Sequence, residues 1–110
     1  MSVAYGRLNR TKDIHNVYKS GRRNMAPGGI FFIYAKNSEH ISRFCVIAKK
    51  RKFRRAVDRN RLKRLMRSAI NKNFCLQDSY DIIVGYSRDN IVPSYDKIEK
   101  DIIFLLDRIN

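Results

Sequence analysis

The residues of this chain best suited to chemistry are cations. Between Lys49 and Lys72 the sequence reads KKRKFRRAVDRNRLKRLMRSAINK, which places 12 of the 24 Lys and Arg residues in about a fifth of the length, against one acid, Asp58. Arg presents a planar fork of donors that fits phosphate bidentately, and Lys a mobile point charge. The block is therefore built for a polyanion. Groups for acid–base or metal chemistry are sparse by comparison. His15 and His40 are the only histidines, and neither has an acid at a spacing that suggests a general acid/base pair. Asp78, Asp81 and Asp89 are dispersed, and Cys45 and Cys75 are too few and too far apart for a zinc site. Each cysteine lies in an apolar stretch, where a thiol serves as a small hydrophobe. Catalysis by the protein alone is not expected.

Composition says what carries this block. A chain of 110 residues is about one domain, here residues 1–110, and its 44% hydrophobic content supports a packed core instead of a disordered basic arm. A net charge of +14 makes a lone domain self-repelling and calls for a polyanionic partner, nucleic acid before all others. A membrane is not expected as partner. The apolar runs Ile30–Ala35 and Ile102–Leu106 fall far short of the roughly 20 residues that span a bilayer, and the opening MSVAYGRLNR lacks the apolar segment of a signal peptide. Without export signal or disulfide framework, the expected compartment is the cytoplasm.

The elements that position the cations follow from periodicity. Thr11 is a candidate N-cap for a short helix with Ile14, Val17 and Tyr18 at helical spacing, stopped by Gly21. After a loop, Arg22 to Gly29, the aromatic and β-branched run Ile30 to Ala35 reads as a strand, with Phe32 and Tyr34 on one face and Phe31 and Ile33 on the other. A second strand, Ser42 to Ala48, is expected as its antiparallel hairpin neighbour. A basic loop from Lys49 to Arg55 leads into the central helix, about Val57 to Phe74; Asp81 to Tyr86 supplies a further buried strand. Pro93-Ser94 opens a last helix with an apolar stripe at Ile98, Ile102, Leu105, Leu106 and Ile109. From Asp78 onward seven acids face four bases, so this last helix is not expected to meet RNA.

On the central helix Leu62, Leu65, Met66, Ala69, Ile70 and Phe74 gather on one face, expected to bury against the sheet, while Asn60, Lys63, Arg64, Arg67 and Asn71 form the opposite crest. Residues two apart project about 200° apart, so Arg59 and Arg61 leave on opposite flanks of Asn60. A solvated helix face normally intersperses acids at i,i+4; this crest has Asp58 alone, and a structured RNA backbone supplies the missing negative charge. Tyr18, with Phe32 or Tyr34, offers a second surface where single-stranded bases could stack. Aromatics at such positions are also common core residues.

The stretch Ala48-Lys49-Lys50, a short basic loop, and Arg54-Arg55-Ala56-Val57-Asp58-Arg59-Asn60-Arg61-Leu62-Lys63-Arg64-Leu65-Met66-Arg67 resembles the signature of the bacterial ribonuclease P protein subunit. Arg7-Leu8, Val17-Tyr18-Lys19-Ser20-Gly21 and Tyr80-Asp81-Ile82-Ile83-Val84 agree with that family in order and spacing. The resemblance implies an α/β (α+β) sandwich of a roughly four-stranded, mostly antiparallel sheet and three helices, with a left-handed βαβ crossover. It implies a role in removing the 5′ leader from precursor transfer RNA: a catalytic RNA subunit performs the hydrolysis with magnesium, and the protein binds that RNA and the leader. Carried onto this chain, Arg55, Arg59, Asn60, Arg61, Lys63, Arg64 and Arg67 would contact the RNA subunit. Ile14, Tyr18, Phe32, Tyr34, Lys49 and Lys50 would line the leader cleft. The sequence leaves open whether the protein holds any metal ion itself, and no protein partner is inferred. Three departures stand out: Ile14 where the family tends to an aromatic, Phe44 where a glycine is expected, and a longer loop at Arg51 to Phe53. Charge and fold pattern alone equally suit a non-enzymatic RNA-binding module, such as a ribosomal or assembly protein.

Overall fold

A computed structural model describes residues 5–88 and 91–109. Along the chain run β1 (Gly6–Arg7), α1 (Thr11–Ser20), β2 (Arg22–Met25), β3 (Ile30–Lys36), β4 (Arg43–Val46), α2 (Ala56–Asn73), β5 (Tyr80–Tyr86) and α3 (Tyr95–Ile109). The strands form one mixed sheet in the order β1-β4-β5-β3-β2. β4 is parallel to both β1 and β5, whereas β3 is antiparallel to β5 and β2. The expected sheet of about four mostly antiparallel strands is thus corrected to five strands of mixed direction among the described residues. β1 and β2 escape a periodicity reading because they are short, polar edge strands, ordered by the neighbours they pair with.

The expected hairpin between β3 and β4 is also corrected. β5 lies between them, pairing Phe32 with Val84 on one edge and Cys45 with Ile83 on the other. Asp81 to Gly85 are buried throughout, and a strand covered on both faces and both edges satisfies all its backbone groups inside the sheet. The connection from β3 to β4 passes the start of β5, where the Asn37 amide donates to the Ser79 carbonyl at 3.2 Å. Parallel β4 and β5, joined through α2, make the anticipated βαβ unit.

The two faces of the sheet are covered unequally. On one, Phe32, Phe44, Val46, Ile82 and Val84 meet Leu62, Met66, Ala69 and Ile70 of α2 and Ile98, Ile102, Leu105 and Leu106 of α3 in the main core. The apolar stripe of α2 packs chiefly against α3, with β4 beneath, and not on the sheet alone as periodicity suggested. On the other face Leu8, Val17, Ile33 and Ile83 form a small cluster under α1, flanked by half-buried Ile14, Phe31, Cys45 and Ile47.

Helix ends agree in part with expectation. Ser94 caps α3, its Oγ accepting the Lys97 N–H at 3.4 Å. For α1 the cap position is Arg10, without a side-chain bond, and Thr11 is the first helical residue. Gly21 does end α1, but in extended backbone at φ −75°. Its requirement is space: a Cβ there would stand 2.4 Å from the Val17 carbonyl oxygen and 3.1 Å from that of Tyr34.

Candidate RNA interface

The cationic surface is built on α2. Asn60, Arg64, Arg67 and Asn71 are exposed and Lys63 is half-buried, as their position opposite the core stripe requires. Among the described residues, Lys72 is the one cation of the 49–72 block held in an ion pair, 3.4 Å from Glu99 of α3. That bond, with Asn73 and Tyr95 also donating to Glu99 at 2.9 and 3.2 Å, orients α2 about its axis. Asn73 first, then Lys72 and Tyr95, hold the Glu99 carboxyl below its ordinary range against the opposing effect of burial. The flank of Arg61, Ser68 and Lys72 therefore lies toward α3, and the flank of Arg59, Lys63 and Arg67 toward β4. Arg55, exposed, precedes the first turn.

The predicted divergence of Arg59 and Arg61 is present, with one unforeseen feature. Arg61 is exposed, whereas Arg59 is half-buried, and its Nη1 donates to the carbonyls of Phe53 and Arg54, each at 2.8 Å. Part of this guanidinium is thereby committed to the protein's own loop.

On the α1 side of the sheet lies a cleft with an apolar floor. Its centre is Cys45, whose thiol burial pushes up, with Lys63, Arg67 and Arg7 opposing. Burial likewise pushes up the phenol of Tyr18, with Cys45 adding to the rise and Arg23 opposing it. Tyr18 of α1 and Arg23 of β2 thus interact electrostatically with the same face of the sheet as Cys45 of β4 and the cationic flank of α2. Phe31 of β3 faces the cleft, and Gly85 directly opposite makes room: a Cβ there would fall 2.4 Å from the Phe31 ring. Arg23 and Met25, register partners of Ile33 and Phe31, extend the same face at the sheet edge. At that end Arg23, Met25, Phe31, Lys49 and Lys52 line a hollow of about 280 Å³. At the opposite end Arg7, Leu8, Ile14, Cys45, Arg67 and Asn71 line one of about 710 Å³.

The structure puts Ile14 in the wall of the larger hollow and Lys49 in that of the smaller, with Tyr18 exposed on α1 and Lys50 exposed in the adjoining loop. It corrects the other two cleft assignments. Phe32 is wholly buried between the sheet and its two covering helices. Tyr34 shares that far face, its ring 5.9 Å from Tyr80 and its hydroxyl accepting from Asn24 Nδ2 at 3.2 Å. Strand alternation had separated the pairs correctly; Phe31 and Ile33, not Phe32 and Tyr34, look toward α1. Phe31, Cys45, Ile47, Arg23, Met25, Arg7 and Lys52 were missed. Period-two alternation grouped Phe31 with Ile33, but nothing local marks which group faces the open side. Phe44, the departure from a glycine, packs into the closed face, its ring 5.1 Å from Tyr5 and 5.5 Å from Phe74, and also forms part of the wall of the larger hollow.

A polar bridge anchors α1 at one end of this open face. Arg43 binds Asp81 through Nε at 2.8 Å and Nη2 at 2.6 Å, and reaches Asp13 of α1 through Nη1 at 3.3 Å. Asp81 Oδ1 also accepts from Asn37 Nδ2 at 2.7 Å.

Comparison with known proteins gives a consistent result. The Ribonuclease P family model matches residues 4–110. A ribonuclease P protein component of Fusobacterium nucleatum subsp. nucleatum is 36% identical over 100 residues, covering 86% of this chain and 88% of that one. Another, of Alkaliphilus oremlandii, is 31% identical over 108 residues, covering 97% and 93%. The solved RNase P protein from Thermotoga maritima shares the fold with a TM-score of 0.80 at 24% identity, over 94% of this chain and 97% of that chain. Because the match extends through the sheet and α3 as well as the arginine-rich helix, this chain belongs to the ribonuclease P protein family.

Proposed function

We propose that residues 1–110 act as one RNA-binding domain that holds the 5′ leader of precursor transfer RNA in the cleft beside α1 while the crest of α2 docks on the catalytic RNA. As a ribonuclease P protein the chain is the protein subunit of a ribonucleoprotein endoribonuclease, in which the RNA carries out hydrolysis. The observation that supports the leader reading is the apolar floor of Phe31, Cys45 and Ile47 between Tyr18 and the cations Lys63 and Arg67. Unpaired bases lie against apolar and aromatic surface while their phosphates meet Lys and Arg. The crest offers charge and side-chain amides without apolar floor, which suits the backbone of a folded RNA.

Magnesium enters this proposal as a cofactor of the RNA subunit. Among the described residues no group of three or more His, Cys, Asp or Glu could hold a metal ion, and no step is assigned to a protein-bound one. No helix among the described residues is long and apolar enough to cross a membrane; the cytoplasm remains our proposed compartment. We carry over the left-handed sense of the β4–α2–β5 crossover from the family likeness.

The test is cleavage of precursor transfer RNA by the RNA subunit at low magnesium, with and without this protein. Stimulation by the protein supports the proposal, and no stimulation would leave the non-enzymatic RNA-binding module as the better reading. Cleavage by the protein alone would overturn the assignment of chemistry to RNA.

A further inference from the structure

We infer that Arg59 is a positioning residue for the leader cleft, acting through the 49–55 loop, and is not a phosphate contact of the crest. The loop holds six cations in seven residues, so it needs tethers to resist its own repulsion. Three are visible. The Phe53 ring is buried against Tyr86 at 6.1 Å, and the Lys52 ammonium donates to the Ser87 carbonyl. Arg59 supplies the third, one nitrogen spanning the Phe53 and Arg54 carbonyls. Arg59 is the fourth residue of α2, where the helix dipole disfavours a cation; the two carbonyls offset that cost and keep Nη1 turned to the loop. The tethered turn closes with the Lys52 and Phe53 amides on the Lys49 carbonyl at 3.1 and 3.0 Å. That geometry sets Lys49 beside Phe31 and Arg23 at the cleft end.

This inference rests on the leader reading of the cleft, and the test separates the two. Holoenzyme is assembled with wild-type protein, Arg59→Met, which keeps the packed stem, and Phe53→Leu, which loosens the same loop with Arg59 intact. Affinity is measured for leader-bearing and leaderless transfer RNA, and affinity for the RNA subunit across salt. We expect both variants to lose about three- to tenfold of the leader preference, with the salt slope for RNA-subunit binding unchanged. In a Lys49→Ala background, Arg59→Met should then add little. The inference is overturned if Arg59→Met keeps the leader preference and instead shallows the salt slope by about one phosphate contact. It is overturned equally if Phe53→Leu leaves the preference intact. A wild-type protein that confers no leader preference would sink the underlying cleft reading instead.

Discussion

Phe31 and Phe32 are neighbours in one strand and lead opposite lives. Phe32 points into the face covered by the 18 residues of α2 and the 15 of α3, and is wholly buried. Phe31 points to the face where only the 10 residues of α1 lie, and remains half-exposed over Gly85. The difference is one of coverage and not of residue type. A sheet face with too little helix to cover it keeps an apolar floor open to solvent, and flanking cations then make it a place for unpaired nucleotides. The closed face is held by apolar packing, whereas the open one is pinned at one end by the Arg43 bridge.

The largest effect that tests this contrast is on the closed face. Phe32→Ala should cost about 3–5 kcal/mol of stability, the range for a large buried side chain removed from a core, read from denaturant unfolding. Phe31→Ala should cost far less and instead reduce the preference for leader-bearing RNA; equal destabilisation by the two would break the comparison. Next in size, Asp81→Asn removes the carboxylate that Arg43 grips, at about 2–3 kcal/mol given that the pair is largely but not wholly buried. Asp13→Asn, which severs only the longer arm to α1, should cost less than about 1 kcal/mol, and similar losses for both would show α1 to be the weight-bearing partner.

Tyr18→Ala should weaken leader-bearing precursor by about 1–3 kcal/mol, the worth of a stacked base, and mature transfer RNA much less. Equal losses would assign Tyr18 to folding. Arg64→Ala on the crest should shallow the salt dependence of RNA-subunit affinity by about one phosphate contact and spare leader preference; an unchanged slope would remove Arg64 from the interface. The smallest effect concerns reactivity. Because burial raises the Cys45 pKa, less thiolate is present at neutral pH, so exposed Cys75 should be alkylated first. Leader-bearing RNA should slow Cys45 further, and modification of Cys45 at the faster rate would argue that the cleft floor is more open than drawn.

Much of the architecture was legible because it is local. The stripe Leu62, Met66, Ala69, Ile70 and the polar crest opposite recur every three to four residues, and that spacing alone determines which residues share a helix face. The same holds for the α3 stripe and for the alternation that parts Phe31 from Phe32. The cleft residues on β2 and β4, Arg23, Met25, Cys45 and Ile47, were not legible, since their grouping depends on register with strands far away in the chain. Nor was the hold of Arg59 on its own loop, because a guanidinium at a helix start reads the same whether it faces phosphate or carbonyl. By itself, then, the amino-acid order settled the helices, their amphipathic faces, the concentration of positive charge and the family likeness. Tertiary structure alone decided that β5 stands between β3 and β4, and which sheet face two helices seal. Those outcomes turn on how much apolar surface distant elements can jointly remove from water, a quantity no local window contains.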